Sequence, residues 1–572
     1  MVPPLTLPAA QTSTAIADSE AVQLFIERAR LLVPAFALTT TNQTALAEIC
    51  SGVDGIALAI ELAAARVQML SAGEIAARLN DRFRLLERVR HSELRHQTLT
   101  AALLWSYDAL SSAEQQMCRA LGVFSGGCTL AAAHHLYAGL PRVRASADAA
   151  QALPPAQDAS SSHDASRSHD DPPSHDYATL ELLTQLHNKS LLLVEQIGSG
   201  PPRYRMLETG RQFAQTQLQA AQQTRAARDL HLEYYAQLAA RAEAPLHGPD
   251  QGAWITALRS EQENLLTAHH WCEHADGGVA TALQLVTALW RYWVTSAQLQ
   301  RGHALAATAL ARPAANRLSA LRCRALWVVG QLAFRMGRYP ETLSAAEQSL
   351  AIARECADAE QTSAGLCLLA KALHATGATA EALARYTETC TVARTLPTRY
   401  WLGIALNDLA EVHRSLGQLT AAQSCYEEAI VIARTQQSPD GIFVPLCNLA
   451  RLSIASGDPE RTRALLLECL ELSMTAELKG MSEDVLEVAA ALAACRNEHH
   501  NAARFAGAAD MRMQDSGSQR EPVDEAFVAP LLARANAALG AANYQQAHAA
   551  GRALNYDTVL SEVQQWLGER AG

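Results

Sequence analysis

Lysine is nearly absent from this chain. Only Lys189, Lys371 and Lys479 occur in 572 residues, and the formal net charge is −11. Binding to a nucleic-acid duplex needs a concentrated basic surface that neutralises phosphates. The composition therefore argues against direct DNA binding by this chain, and leaves open a DNA-binding domain on a longer version or on a partner.

Aromatic residues are scarce as well. Phe, Trp and Tyr make up 5% of the chain, whereas hydrophobic residues make up 49% and are dominated by Ala and Leu. Strands favour aromatic and β-branched side chains, while Ala and Leu suit closely packed helices. The composition predicts a mainly α fold with at most a small β element.

Paired cysteines and long apolar runs are also missing. The 12 cysteines are scattered singly, without a CxxC pair or a nearby HxxxH motif, so we expect no metal site. The start MVPPLTLPAAQTSTA has no signal-peptide pattern, and no apolar run reaches the roughly 18–20 residues of a membrane span. We expect a cytoplasmic protein with reduced thiols and no membrane partner.

A 40-residue repeat is the strongest signal that is present. Four glycines recur at this spacing, and seven residues before each of them lies a small residue; the glycines are Gly337, Gly377, Gly417 and Gly457. The same phase continues forward to Asn497 and back to Ala297. Glycine accepts a positive φ freely and asparagine tolerates it, so each unit is predicted to be a helix, a tight turn and a second helix.

Helical hairpins at a fixed period stack into a superhelix with a concave surface. The pattern resembles tetratricopeptide repeats, stretched from about 34 residues to 40 by longer helices or longer links. Such arrays bind peptides or proteins; the alternative is a purely structural scaffold. The segment after Met511 is predicted to be a loop followed by a helical cap.

The middle of the chain predicts a winged helix interrupted by a disordered insert. Residues 97–136 show helical apolar spacing, and residues 141–177 are rich in Pro, Ser, Ala and Asp. The insert repeats Ser-His-Asp, with His163, His169 and His175, but a triad or a metal site needs a rigid scaffold. LLLVEQ and RYRML are predicted strands around a GSGPP turn. The candidate recognition helix TLELLTQLHNKS carries one lysine and should pack rather than contact bases.

Several stretches together point to one family. They are VPPLTLP, FIERAR, GVDGIALAIELAAARVQMLS, RHQTLTAALLWSYDALSSAEQ, VFSGGCTL, NKSLL and RYRMLETGRQFA. In combination they resemble the segment after the ATPase core of STAND-class signal-transduction NTPases, which include NB-ARC-like proteins and large bacterial transcriptional regulators. EYYAQLAARAEAPLHGPDQGAWITALRSEQENLLTA resembles the helical link before the sensor repeats of these regulators.

The resemblance also names candidate cofactor-binding residues. In that family a Gly-x-Pro loop, placed like Gly55, Ile56 and Ala57 here, lies near the base and sugar of the bound nucleotide; Ala57 replaces the proline and loses its fixed φ. Arg95 and His96 are further candidates for facing a nucleotide, together with Asp54 and Arg66. The alternatives are a turn-forming side chain for Asp54 and a polar hinge for Arg95-His96.

A phosphate-binding loop is missing from the sequence. It requires Gly-x4-Gly-Lys-[Ser/Thr], and the only Lys-Ser pair, at Lys189, follows Asn188, with Leu183 where the first glycine should stand. No apolar strand ending in paired acids is evident. We therefore predict no catalysis and no cofactor held by this chain, although the family uses ATP and ADP, and we expect a truncated or split regulator.

The sequence thus predicts four segments: a small helical subdomain (1–90), a winged-helix-like domain (91–225), a helical linker with a first hairpin (226–316), and tetratricopeptide-like repeats with a cap (317–572). The predicted function is the regulatory and sensor part of a transcriptional regulator. A protein or small-molecule inducer is expected on the concave face, and self-association stays open. The alternatives are a free-standing interaction scaffold and an ATP/ADP-dependent switch.

Overall fold

A computed structural model describes residues 5–7, 16–53, 55–86, 94–141, 174–196, 200–316 and 320–568. The chain divides into two compact units, Met1–Tyr234 and Tyr235–Gly572. Most of the predicted disordered insert, including His163 and His169, lies outside the described residues, as does the side chain of His175. The mainly α fold predicted from the composition is confirmed.

The first unit consists of helices and one small β ribbon. The helices are α1 (Glu20–Leu32), α2 (Gln43–Gly52), α3 (Ala57–Ala64), α4 (Ala72–Leu86), α5 (Leu94–Asp108), α6 (Ser112–Leu121), α7 (Leu130–Gly139), α8 (Ser174–Asn188), α9 (Glu208–Ala220) and α10 (Thr224–Glu243), the last of which runs on into the second unit. Ser111 caps α6, because its hydroxyl accepts a hydrogen bond from the Glu114 amide while the Glu114 carboxylate accepts one from the Ser111 amide.

The predicted hairpin is present. Strands β1 (Leu193–Glu195) and β2 (Arg203–Arg205) pair antiparallel, with Val194 opposite Tyr204. Tyr204 also forms an isolated bridge to Cys128, in the turn before α7. The ribbon therefore packs against the segment that joins α6 to α7, and the helices α6 to α8 precede it in the chain.

The second unit is a series of helical hairpins. Its helices are α11 (Gln251–Ser260), α12 (Gln262–Trp271), α13 (Gly278–Ala288), α14 (Trp290–Thr295), α15 (Leu299–Ala311), α16 (Ala320–Arg335), α17 (Tyr339–Glu355), α18 (Ala359–Ala375), α19 (Thr379–Ala393), α20 (Tyr400–Ser415), α21 (Leu419–Thr435), α22 (Pro439–Ala455), α23 (Pro459–Thr475), α24 (Ser482–Cys495), α25 (His499–Ser516), α26 (Pro522–Leu539), α27 (Ala541–Arg552) and α28 (Tyr556–Gly568), with 3-10 turns at Pro245–His247, Pro313–Asn316 and Lys479–Met481.

The predicted hairpin turns are confirmed by their backbone angles. The φ values of Gly337, Gly377, Gly417 and Gly457 are 70°, 89°, 72° and 77°. Asn497 continues the series at 63° and Ala297 precedes it at 57°. The left-handed conformation thus recurs every 40 residues from 297 to 497. It occurs even at Ala297, where the Cβ makes this conformation sterically unfavourable.

A second series of left-handed residues joins one hairpin to the next. Ala357, Gln437 and Glu477 have φ values of 53°, 52° and 55°, and Gly517 has 74°. The sequence analysis did not identify these links, because three of the four are not glycine. Both kinds of connection are short, so the residues beyond the usual 34 lie in the helices, most of which have 15–17 residues.

Small residues at a fixed phase let neighbouring helices approach closely. Ala370, Ala410 and Ala450 are fully buried. At the equivalent Gly330, an added Cβ would lie 2.6 Å from Leu368 Cδ2. The same Cβ would lie 3.3 Å from Ala345 Cβ on α17, so the small residue permits close approach of both the hairpin partner α17 and the next first helix, α18.

The second unit also joins its beginning to its later hairpins. A Cβ added at Gly480 would lie 2.0 Å from the Val294 carbonyl oxygen, so the 3-10 turn at Lys479–Met481 contacts α14 backbone to backbone. Arg259 on α11 forms an ion pair with Glu477 at 3.4 Å. Residues about 190 to 220 positions apart in sequence are therefore neighbours, and the helices between them surround a common interior.

The turn at Gly417 permits a test of the backbone constraint. A Cβ at this position would meet no atom within 4 Å, so the φ of 72° is the only obstacle to a side chain. Gly417→Val should lower the free energy of unfolding by about 1–3 kcal/mol, because a β-branched residue is forced into a left-handed conformation. Urea unfolding of the chain measures the loss.

Gly417→Asn is the matched control. Asparagine tolerates the left-handed region and already occupies it at Asn497. This variant should lose clearly less stability than Gly417→Val. Equal losses for the two variants would show that the backbone angle does not set the requirement.

Candidate functional site

The predicted nucleotide-proximal loop forms a tight turn before α3. Gly55 has a φ of 67° and its amide donates a hydrogen bond to the Cys50 carbonyl at 3.1 Å. The Ile56 amide donates to the Val53 carbonyl at 3.0 Å, and Ala57 begins the helix. Gly55 is buried under Leu5, whose amide donates to the Gly55 carbonyl at 2.9 Å, whereas Ala57 is exposed.

The other predicted candidates are not gathered around this loop by any described contact. Arg95 and His96 lie in the first turn of α5, and their side chains are outside the described residues, as is the whole of Asp54. Arg66 is 6% exposed, donates to the Ser106 carbonyl at 2.9 Å and lies 5.2 Å from the Trp105 ring centroid. The Arg66 side chain therefore packs against α5.

The second unit contains a cavity that the sequence analysis did not identify. The first helices of successive hairpins (α16, α18, α20, α22 and α24) contribute most of its walls. It has two parts, with empty volumes of about 870 and 910 Å³ that are partly open to solvent. Both parts are lined by Arg335, Lys371, Asn407, Asp408 and Val444, so they are adjacent.

The first part, which we call the aromatic part, is lined by Trp290, Trp327, Tyr400 and Trp401. Trp327 packs edge-on against Trp290 and Trp401, with ring centroids 4.8 and 5.6 Å apart. The chain has only eight tryptophans, and three of them meet here. Clustered aromatic rings with open space beside them favour an apolar or aromatic ligand.

Arg291 anchors the aromatic part. Its side chain is an ion-pair partner of Asp440, donates to the Tyr400 hydroxyl at 2.7 Å and donates to His247 Nδ1 at 3.1 Å. Burial, followed by the nearby cations Arg291 and Arg324, lowers the pKa of His247 to about 2. His247 is thus neutral and accepts the hydrogen bond. The three contacts of Arg291 together tie α14 to the 3-10 turn at Pro245–His247, to α20 and to α22.

The second part, which we call the acidic part, is rich in charged groups. Seven carboxyl groups line it: Asp408, Glu411, Glu483, Asp484, Glu487, Glu521 and Asp524. Four cationic side chains also line it, Arg335, Lys371, Arg451 and Arg520, and Arg414 pairs with Glu411 and Asp524 from behind. Carboxyl groups therefore outnumber cations by two in this set.

Arg451 is the centre of this network. It is 2% exposed and forms ion pairs with Asp484 at 2.9 Å, with Glu487 at 3.5 Å and with Asp524 at 3.5 Å. Burial alone would lower the pKa of Arg451, but these carboxylates raise it well above its ordinary value. The guanidinium is consequently charged in the interior and holds α22, α24 and α26 together.

Two carboxyl groups lack such partners. Burial, followed by the adjacent Asp484, raises the pKa of Glu483 to about 8. Burial also raises the pKa of Glu521 to about 7, because the attraction of Lys371 does not offset it. Near neutral pH both groups hold protons for much of the time, and this removes the excess negative charge of the acidic part.

The segment Ser518–Glu521, between α25 and α26, lines the acidic part. The Gln519 amide donates to the Arg335 carbonyl at 2.8 Å, and the Ser518 hydroxyl donates to Glu483 Oε1 at 3.1 Å. This segment therefore crosses from the last hairpin of the series to α16 and covers one side of the cavity.

A periodic signal in the sequence marks this interior. Six residues before each turn glycine stand Gln331, Lys371, Glu411 and Arg451, polar side chains at a constant phase on helices rich in Ala and Leu. The same period that predicts the turns therefore also predicts a polar line along the first helices. The turn glycines alone do not reveal these four polar positions.

The described ranges contain neither a membrane-spanning helix nor a metal-binding cluster. No helix in them is both long enough and apolar enough to cross a membrane. Nor does the described part of the chain bring together three or more His, Cys, Asp or Glu side chains that could hold a metal ion.

Comparison with known families identifies the repeats. Family models described as "Tetratricopeptide repeat" match residues 321–395 and 404–435. The "Putative HTH-type transcriptional regulator Rv0890c" of Mycobacterium tuberculosis is 34% identical over 415 residues, which is 68% of this chain and 42% of that protein. The "Uncharacterized protein Rv0894" of the same organism is 34% identical over 214 residues, 37% of this chain and 44% of that protein. The chain thus spans less than half the length of the curated relatives it matches.

Two solved structures are similar over much of the chain. A Signal Transduction ATPase with Numerous Domains (STAND) protein with a tetratricopeptide repeat sensor from Pyrococcus horikoshii is 11% identical, covers 96% of this chain and 74% of that one, and has a TM-score of 0.40. A Rap protein complexed with Competence and Sporulation Factor is 11% identical, covers 60% and 98%, and has a TM-score of 0.42. The matched repeats and the regulator relatives confirm the resemblance to a transcriptional regulator with a tetratricopeptide array.

Asp524 offers a test of the buried charge network. It accepts a hydrogen bond from Arg414 at 2.6 Å and pairs with Arg451, and these arginines lower its pKa although burial alone would raise it. Asp524→Asn should lower the free energy of unfolding by about 3 kcal/mol or more, because two buried guanidinium groups lose a charge partner. Urea unfolding of the variant measures the loss.

Glu525→Gln is the control at the next position of the same helix. Glu525 also pairs with an arginine, Arg520 at 2.6 Å, but its side chain is 53% exposed. Removing this charge should change stability by about 1 kcal/mol or less, because solvent screens the pair. Losses of the same size in both variants would contradict the importance of burial.

The pKa values of Glu483 and Glu521 predict a pH dependence of stability. Both values are raised above the 4.5 of an ordinary glutamate, so the folded chain binds more protons than the unfolded chain between about pH 4.5 and 8. Stability should therefore fall as the pH rises through this range, by at most about 1.4 kcal/mol per pH unit and per carboxyl group.

Thermal unfolding between pH 6 and 8.5 measures this effect. The double variant Glu483→Gln, Glu521→Gln should flatten the profile and raise the melting temperature at pH 8.5, since neither amide ionises. An unchanged slope in the double variant would mean that other groups set the pH dependence.

Proposed function

We propose that this chain is the sensor and switch portion of a STAND-type bacterial transcriptional regulator. The cavity of the second unit is the concave face of its tetratricopeptide array and binds a protein segment or a small-molecule inducer. The cavity itself is the observation that supports this role most directly. Its walls come from the first helix of each hairpin, and it combines open space, clustered aromatic rings and buried charges.

The first unit has the transmitting role in this proposal. The helices α1 to α4 form the small helical subdomain, and α6 to α8 with the β1–β2 ribbon form the winged helix. The proposal keeps the four predicted segments, with limits at 90, 225 and 316. The relatives named as transcriptional regulators support a regulatory role, and their greater length supports a longer protein that holds the remaining domains.

The nucleotide-proximal residues remain part of the proposal. The amides of Gly55 and Ile56 already donate to carbonyl groups of the chain. Contact with the base or sugar of an ADP held elsewhere would therefore fall to the exposed Ala57 and to Arg95 and His96. This chain neither holds the phosphates nor hydrolyses them, and it works in the cytoplasm without contacting DNA itself.

A blocking substitution tests the sensor role. Val444 lies where the two parts of the cavity meet and is half-buried. Val444→Trp fills this space without removing a polar contact. A library of small molecules and short peptides is screened by thermal shift against the native chain and this variant. We expect at least one ligand that stabilises the native chain, by about 2.7 kcal/mol at 100 times its Kd, and has no effect on Val444→Trp.

Val431→Trp is the matched control. Val431 is 63% exposed on α21, so the added ring does not enter the cavity, and this variant should respond like the native chain. Hydrogen exchange of the first unit, with and without the ligand, measures transmission. Ligands that stabilise Val444→Trp as much as the native chain would contradict the site, and tight binding of ADP with slow turnover would favour the ATP/ADP-dependent switch.

A further inference from the structure

The acidic part of the cavity has carboxyl groups that the chain does not neutralise. The set of seven carboxyl groups exceeds the cations paired with it by two, as shown above. Like charges in a low-dielectric interior repel strongly, so the excess must be removed by protons or by a cation from outside. A cluster of acids alone does not define a ligand site, because protons remove the excess charge as well as a cation does.

The hydrogen bonding of Glu483 indicates a cation from outside. The residue is 8% exposed and lines the acidic part, and its Oε1 accepts a hydrogen bond from Ser518. Its Oε2 has no hydrogen-bond partner among the described residues. Buried carboxyl oxygens are normally paired, so an unpaired one in a residue that lines the cavity indicates a missing donor.

Two neighbouring carboxyl groups also have a buried oxygen without a hydrogen bond. Asp408 Oδ2 and Glu487 Oε1 are buried without a hydrogen-bond partner in the described part of the chain, although Lys371 and Arg451 lie 3.5 Å from them. These cations contribute attraction without a direct hydrogen bond. Several acceptor atoms of residues that line the acidic part thus lack a hydrogen bond from the described part of the chain.

We propose that the acidic part binds the ammonium or guanidinium group of the ligand, and that an aromatic or apolar body attached to this group occupies the aromatic part. The inference rests on the proposed function, in which the cavity is the ligand site. The two parts share Asn407, Asp408 and Val444 in their linings, and a ligand that crosses these residues would occupy both. An ammonium group supplies three donors and a positive charge, and a guanidinium group supplies five donors.

Binding of a cation should be coupled to proton release. Glu483 is faced by Asp484 on its own helix, by Arg335 on α16 and by Ser518 of the covering segment. Glu521 is faced by four groups, Lys371 on α18, Asp408 and Glu411 on α20, and Asp524 on α26. A bound cation favours the ionised form of both carboxyl groups, so affinity should increase as the pH rises through 7 to 8.

Three indole compounds that differ in charge test the inference by calorimetry on the full chain. The probes are tryptamine, which carries an ammonium group, tryptophol, which is neutral, and indole-3-propionate, which carries a carboxylate. We expect tryptamine to bind at least 10-fold more tightly than tryptophol, and indole-3-propionate to bind most weakly. Tryptamine should also bind several-fold more tightly at pH 8.5 than at pH 6.5, whereas tryptophol should not change.

Glu483→Gln should reduce the affinity for tryptamine about 10-fold and leave the affinity for tryptophol unchanged. Glu468→Gln is the control, since Glu468 pairs with Arg434 at 2.5 Å and does not line the cavity. Melting temperatures verify that both variants are folded. Equal affinities for the three probes, tighter binding of the carboxylate, no detectable binding of tryptamine, or an unchanged Glu483→Gln variant would each overturn the inference.

The outcomes also separate this inference from the proposed function. Tryptophol that binds the native chain but not Val444→Trp would retain the cavity as a ligand site, even if charge has no effect. A library ligand that is anionic and is blocked by Val444→Trp would refute the cation while supporting the sensor. Binding of tryptamine that Val444→Trp does not alter would refute both for this cavity.

Discussion

A left-handed backbone residue every 40 positions is the constraint on which the second unit depends. Each one, from Ala297 to Asn497, reverses the chain between two helices, which have 14–18 residues each from Gly337 onwards. Because the reversals are in phase, the first helix of every hairpin faces the same side. The cavity, its aromatic lining and much of its charge network follow from this common orientation, since first helices contribute most of the lining residues.

The interior of the second unit contains two kinds of surface, apolar and charged, which differ in the free energy of their burial. The contacts between hairpins are apolar and rich in alanine, which permits helices to lie close together. The cavity instead holds buried arginines and carboxyl groups, which replace hydration by ion pairs such as those of Arg451. A purely structural scaffold would gain little from such a network, whereas a ligand site requires charges that are held in place before binding.

Much of the fold could be predicted from single residues. Four glycines and one asparagine predicted the turns, and GSGPP predicted the hairpin between β1 and β2. The links at Ala357, Gln437 and Glu477 could not be predicted, because these residues adopt a positive φ under the tertiary packing and not by preference. The nucleotide-proximal residues were chosen by resemblance, and only Gly55, Ile56 and Ala57 are described as a local structure.

The sequence by itself determined the helical class, the repeat period and the turn positions, since these depend on local preferences that one residue or one spacing expresses. Only the tertiary structure decided which side chains meet in the cavity. Arg291 reaches Tyr400 and Asp440, and Arg451 reaches Asp524, across separations of about 70 to 150 residues. Such meetings depend on the small rotation between successive hairpins, which accumulates along the array and which no single residue encodes.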